Sequence, residues 1–138
     1  MLEVGDRFPV ERLPVKPEGP AVVYFYAADL TPGCTMEAKG FNDRYQAFRD
    51  AGYEVIGVST DQTDKNDEFR SECGLEFPLV SDEDQSLTSA LDGLKQFGDY
   101  GTFARRVTYV VDADGNVLHA WDVTDAGEHP AEVLAAVS

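Results

Sequence analysis

The chain has only two cysteines, Cys34 and Cys73, and no Cys-x-x-Cys pair. That excludes a disulfide scaffold and leaves a reactive thiol with or without a partner. Its only histidines, His119 and His129, belong to no ligand cluster, so neither zinc nor another metal is expected. Long apolar runs are missing. The longest, such as Ala21 to Ala28, falls far short of a bilayer span, which argues against a membrane protein. The first residues, Met1 to Asp6, lack the basic start and apolar stretch of a secretory signal, so the expected location is the cytoplasm. Basic residues are scarce as well. There are 11 against 26 acidic ones, giving a net charge of −15. A surface of that sign repels phosphate backbones and anionic lipids, which excludes nucleic acid as a partner. No internal repeat and no low-complexity tract interrupts the chain.

The acidity has a pattern of its own. Asp outnumbers Glu by 15 to 11, and only four of the basic residues are lysines. Such a composition suits high salt, where counter-ions screen self-repulsion over a few ångströms. We read it as adaptation to a saline interior. Thermal melts are expected to show a higher Tm in molar KCl than in dilute buffer, and equal values would overturn that reading.

What is present is an ordinary globular core. The 138 residues, 43% of them apolar or aromatic, suit one domain spanning 1–138. The opening stretch "EVGDRFPVERLPV" reads as a short strand and turn punctuated by Pro9 and Pro14. Ala21 to Tyr26 is continuously apolar, as in a strand buried on both faces. Gly33 to Asp50 has helical spacing, with Phe41, Tyr45 and Phe48 on one face, and Gly52 ends it. Tyr53 to Thr60 is a second buried strand. "DQTDKNDEFRSECG" predicts a helix capped by Asp61, Thr63 or Asp64 and stopped at Gly74. "FPLVSD" reads as a third strand and "DQSLTSALDGL" as a short helix. "RVTYVVDADGNVLHAWDV" predicts two strands joined by a tight turn. Pro130 marks the first residue of a C-terminal helix. This order predicts an α/β domain with a central mixed sheet flanked by helices. Its first strands should be parallel with right-handed crossovers.

In such sheets chemistry gathers beyond the carboxyl ends of the parallel strands, and Cys34 lies just there. Pro32-Gly33 leads it into the first turn of a helix. Unpartnered backbone N–H groups and the positive end of the helix dipole favour a thiolate at such a position. Thr31 and Thr35 flank it with hydroxyls able to donate hydrogen bonds. A buried cysteine acting as apolar filler would account for the thiol but not for its Thr-Pro-Gly and Thr neighbours.

The segment "YFYAADLTPGCTMEAKGF" resembles the active-site segment of the peroxiredoxins, above all their bacterioferritin-comigratory-protein/PrxQ branch. "GDRFP", "FPLVSDED" and "RVTYVVDADGNV" extend the resemblance over nearly the whole chain. It implies a thioredoxin-like (peroxiredoxin) fold and a thiol-dependent peroxidase that needs no cofactor. Substrates would be hydrogen peroxide or alkyl hydroperoxides, with thioredoxin or a similar thiol as reductant and a monomer or weak dimer as the working form. It further implies Cys34 as the peroxidatic cysteine and Thr31 as a hydroxyl contact to thiolate and peroxide. Arg106 would stabilise both the thiolate and the developing charge, and Glu37 would position that arginine, with Thr35 in support. Arg105 neighbours Arg106, but strands alternate faces, so Arg105 should meet solvent or an acidic group. One departure stands out: Ala27 replaces the proline that opens the family's motif, which loosens the packing over Cys34.

A second departure concerns turnover. Many members of the branch carry a resolving cysteine five residues after the first, and here that position is Lys39. Only Cys73 remains. It reads either as a core thiol beside Phe69 or as a resolving cysteine, and a disulfide would need a helix end to unwind because Cα atoms must come within about 4.4–6.8 Å. A thioredoxin-like peroxide sensor with poor turnover is the rival reading, and Ala27 and Lys39 give it room. Retention of Thr31, Cys34 and Arg106 together argues for the enzyme.

Overall fold

The computed structural model describes residues 1–27, 32–96, 99 and 101–138. Five strands form one sheet: β1 (Ala21–Phe25), β2 (Glu54–Ser59), β3 (Leu79–Ser81), β6 (Val107–Val111) and β7 (Val117–Asp122). Their order is β3-β2-β1-β6-β7. β1 pairs parallel with β2, and β2 with β3. β6 returns antiparallel beside β1, and β7 beside β6. The expected parallel start and antiparallel hairpin are both present.

β1 is apolar throughout because both its faces are covered. Val22 and Tyr24, with Tyr26 just beyond the strand, face one layer: α1 (Pro32–Asp43), α2 (Tyr45–Asp50), α3 (Thr63–Cys73) and α5 (His129–Val137). Phe41, Phe48, Phe69 and Val133 close that side. Ala21, Val23 and Phe25 face a second cluster with Phe8, Leu13, Tyr109 and Leu87, the last from α4 (Ser86–Ala90).

Local details depart from expectation where a tertiary partner decides them. The helix expected over 33–50 is two helices, broken at Arg44, whose ψ of 4° leaves helical geometry. The opening strand reduces to one bridge, Arg7 to Asn116, and a 3-10 turn at Val10–Arg12. The cap of α3 comes from elsewhere: Gln62 is the N-cap residue without a side-chain bond, and Glu83 Oε1 accepts from the Thr63 backbone N–H at 2.8 Å. Gly74 ends α3 as expected, in the left-handed conformation at φ 62°. An antiparallel pair that the sequence did not announce joins β4 (Leu94–Gln96) to β5 (Thr102–Ala104). Among the described residues no helix is long and apolar enough to cross a membrane.

Candidate active site

Cys34 is the third residue of α1 and is 1% exposed. Arg106, the residue before β6, reaches it across the fold. Its Nη2 donates to Cys34 Sγ at 3.2 Å, and its Nη1 donates to Glu37 Oε1 at 2.8 Å. One planar guanidinium thus spans the thiol and the carboxylate one helical turn later, a fit that Arg makes and Lys does not. Strand alternation sorts the two arginines as expected. Thr108 and Val110 face the α1 and α5 side with Arg106, whereas Arg105 bonds Asp122 Oδ2 at 3.0 Å near the surface. Gly33 lets the guanidinium approach the helix start. A Cβ there would lie 3.3 Å from Arg106 Nη2.

Glu37 is fully buried. Burial pushes its carboxyl up to about 7, against the downward pull of the Arg106 charge and hydrogen bond. Its Oε2 has no hydrogen-bond partner among the described residues. Arg106 itself is pulled down by burial, but the charges of Cys34 and Glu37 outweigh this and raise it. Thr35 is half-buried on the same turn of α1. Thr31 lies outside the described residues.

His129 is the residue that sequence reasoning passed over. It is buried, with Nε2 2.8 Å from Thr108 Oγ1 and Nδ1 3.1 Å from Glu132 Oε1. A carboxylate can only accept, so Nδ1 carries the proton and Nε2 accepts from the threonine hydroxyl. Burial lowers the His129 pKa, Glu132 opposes this, and the Arg106 charge lowers it further. The ring meets Trp121 and Phe41 edge-on. It fastens α5 to the strand that presents Arg106. Gly40 allows the same close approach, since a Cβ there would lie 2.8 Å from Pro130 Cγ. The available sequence signal was a histidine immediately before a helix-opening proline.

Cys73 is the last residue of α3 and is half-buried at the edge of the same apolar cluster as Cys34. Burial pushes its thiol up; Lys39 pulls it down, and Glu72 adds to the rise. Lys39 therefore acts on the second cysteine. Asn42 ties this helix end to α1, donating to Gly74 O at 3.1 Å and accepting from the Glu76 N–H at 2.8 Å.

Beside Arg106 lies a cleft of about 480 Å³, lined by Ala27, Lys95, Arg105, Arg106, Asp122 and Val123. Ala27 borders this cleft, while Cys34 itself is 1% exposed.

Residues 9–120 match the AhpC/TSA family. The chain is 40% identical over 119 residues to the peroxiredoxin Bcp of Xanthomonas campestris, covering 84% of this chain and 74% of the relative. It is 35% identical over 116 residues to that of Bacillus subtilis, covering 82% and 74%. Among solved structures, it superposes with a TM-score of 0.80 at 37% identity on the Xanthomonas campestris bacterioferritin comigratory protein, described for alkyl peroxide reduction, covering 87% of this chain and 78% of that one. On peroxidoxin BcpB of Mycobacterium tuberculosis the TM-score is 0.88 at 27% identity, covering 99% and 97%. With a family model matching most of its length and relatives 35–40% identical over more than four fifths of it, the chain belongs to the AhpC/TSA family, in its Bcp/PrxQ peroxiredoxin branch, and is a thiol-dependent peroxidase.

Proposed function

We propose that Cys34 is the peroxidatic cysteine and that the whole chain works as one domain around it. The observation that carries this is the Arg106 fork, with one nitrogen on Cys34 Sγ at 3.2 Å and the other on Glu37 Oε1 at 2.8 Å. The Cys34 thiolate attacks the nearer oxygen of the peroxide in line with the O–O bond. An S–O bond forms as the O–O bond breaks, and the departing oxygen takes a proton to leave as water or an alcohol. Arg106, the Cys34 backbone N–H and the Thr31 hydroxyl supply donors aimed at the charge that develops. Cys34 is left as a sulfenic acid, the reversible first rung of thiol oxidation. Glu37 is a positioning residue, holding the fork from a site closed to water, and Thr35 supports the first turn.

Cys73 is the resolving thiol in this reading. Its sulfur attacks the sulfenic acid, expelling water and forming a Cys34–Cys73 disulfide. A dithiol such as thioredoxin then supplies two electrons and two protons to restore both thiols. Both cysteines sit in helices, so the bond requires the first turn of α1 or the last turn of α3 to unwind. The termini of α-helices are where such opening is least costly. The cytoplasm, with its reducing thiols, is the compartment this cycle needs, and a monomer or weak dimer suffices for it.

Protein treated with one equivalent of peroxide without reductant, then digested and weighed by mass spectrometry, is expected to yield a cross-linked Cys34–Cys73 peptide. A sulfenic or sulfinic Cys34 beside a free Cys73 would exclude Cys73 as the resolving thiol. Steady peroxide consumption with thioredoxin and its reductase is also expected. Loss of one equivalent followed by none would leave a sensor in place of the proposed catalytic cycle.

A further inference from the structure

We propose that His129 is a positioning residue for the peroxidase reaction: its hydrogen bond to Thr108 fixes the seat of α1 on the sheet and so sets how Cys34 meets Arg106. The proposal rests on the reading of Cys34 as the reacting thiol. Thr108 is the middle of a row across three strands, paired with Tyr24 on β1 and with Trp121 on β7. Phe41 of α1 stacks on Tyr24, with ring centroids 4.6 Å apart. His129 stands on the other two residues of the row. Its Nε2 accepts from Thr108 Oγ1 at 2.8 Å, and its ring meets Trp121 edge-on at 5.5 Å. Phe41 and His129 then meet each other edge-on at 6.0 Å.

Arg106 lies one step further along the same face, two residues upstream of Thr108 and about 7 Å away along the strand direction. Its carbonyl accepts from the Val123 N–H at 2.9 Å, which holds its backbone beside the end of β7. Cys34 is seven residues before Phe41, two turns of α1 and about 10 Å away on the same helix face. That face of α1 is therefore held at two places. The guanidinium holds it at Cys34, and the Tyr24 and His129 rings hold it at Phe41. A shift at Phe41 carries Cys34 with it. Stacked rings alone tolerate sliding, because apolar contact has no direction. The bond from Thr108 does have one, and it fixes the imidazole in its plane. Glu132 fixes the ring from its other edge, accepting from Nδ1 at 3.1 Å, so both nitrogens of this buried side chain are satisfied. Pro130, the next residue, packs where Gly40 leaves room, so the helix that carries His129 bears directly on α1. Peroxide attack needs sulfur, oxygen and donor aligned to a fraction of an ångström. His129 acts on that alignment through α1 and β6.

The test measures the second-order rate constant for oxidation of the reduced protein by hydrogen peroxide. His129→Asn keeps a donor for Glu132 but is too short to reach Thr108, and it should lower the rate about tenfold. His129→Gln carries an oxygen out to the place of Nε2, and the rate should return to within about threefold of wild type. Thr108→Val should also cost about tenfold, whereas Thr108→Ser, which keeps the hydroxyl, should cost little. His129→Asn combined with Thr108→Val should be no slower than either alone, because both remove the same bond. Thermal melts accompany each variant, since a residue that only stabilised the fold would leave the rate of the folded protein unchanged. Equal rates in His129→Asn and His129→Gln, or losses that multiply to about a hundredfold in the double variant, overturn the role of His129 and leave the peroxidase intact. If a variant at position 129 does not fold, the two Thr108 variants decide, and equal rates in them overturn the role as well. Cys34→Ser controls the reading beneath. If that variant consumes peroxide as fast as wild type, the reading of Cys34 falls first and the positioning role with it.

Discussion

An Arg106→Ala chain is expected to reduce hydrogen peroxide with kcat/KM lowered about 10²- to 10³-fold, the loss typical of removing one preorganised donor from a developing oxyanion. Two losses coincide in this one substitution. Cys34 Sγ loses the guanidinium at 3.2 Å, and the departing oxygen loses a positive charge already in place before the reaction. The fold should survive. Glu37, deprived of its partner, is free to take up a proton, since burial already holds its carboxyl near 7. Arg106→Lys separates charge from geometry. An ammonium keeps the charge but cannot hold Sγ and Oε1 from two fixed nitrogens of one plane, so it should recover only part of the rate. Stopped-flow oxidation of the reduced variants by hydrogen peroxide, with thermal melts as a check on folding, measures this. A loss under threefold in folded Arg106→Ala protein would remove Arg106 from the mechanism.

Much of this site was legible in the chain, for physical reasons that can be named. The β1 run is apolar at every position because both its faces are buried, and the strand is readable on that account. Cys34 follows Pro32-Gly33 at a helix start, a pattern with a local cause. Arg106 was separable from Arg105 because strand period two fixes which of two neighbours shares a face with Thr108. The features that escaped are set by distant partners. Arg44 breaks a helix whose hydrophobic spacing runs straight through it. Glu83 caps α3 from 20 residues away, where local sequence offered Asp61, Thr63 and Asp64. His129 gains meaning only from Thr108 on β6, and the pairing of β4 with β5 only from a partner strand across the fold. Family resemblance supplied roles for Cys34, Glu37 and Arg106, and the geometry brings those three side chains together. It is silent on Thr31, which lies outside the described residues.

Glu37→Gln is expected to change the pH dependence of stability, and this decides whether burial or the Arg106 charge governs the carboxyl. Burial favours the neutral form and Arg106 the ionised one; burial is the larger effect and places the group at about 7, above its usual 4.5. A raised folded-state value means that the protonated form is favoured by folding. The stability it contributes is fully present below 4.5 and is lost as pH rises through about 7. The displacement from 4.5 to about 7 corresponds to about 3 kcal/mol. Glutamine fills the same space, still accepts from Arg106 Nη1, and does not titrate. The stability of wild type relative to Glu37→Gln should therefore fall by up to about 3 kcal/mol between pH 4.5 and 8. Urea unfolding of both proteins at the two pH values reads this as a double difference, in which every other titrating group cancels and the baseline cost of the amide drops out. A difference that rises with pH would mean that the ion pair prevails and Glu37 titrates below its usual value. The functional consequence follows from the same competition. When Glu37 ionises near neutral pH, it draws on the guanidinium that also serves the Cys34 sulfur, so the charge available to the reaction is set by a carboxylate that never meets solvent.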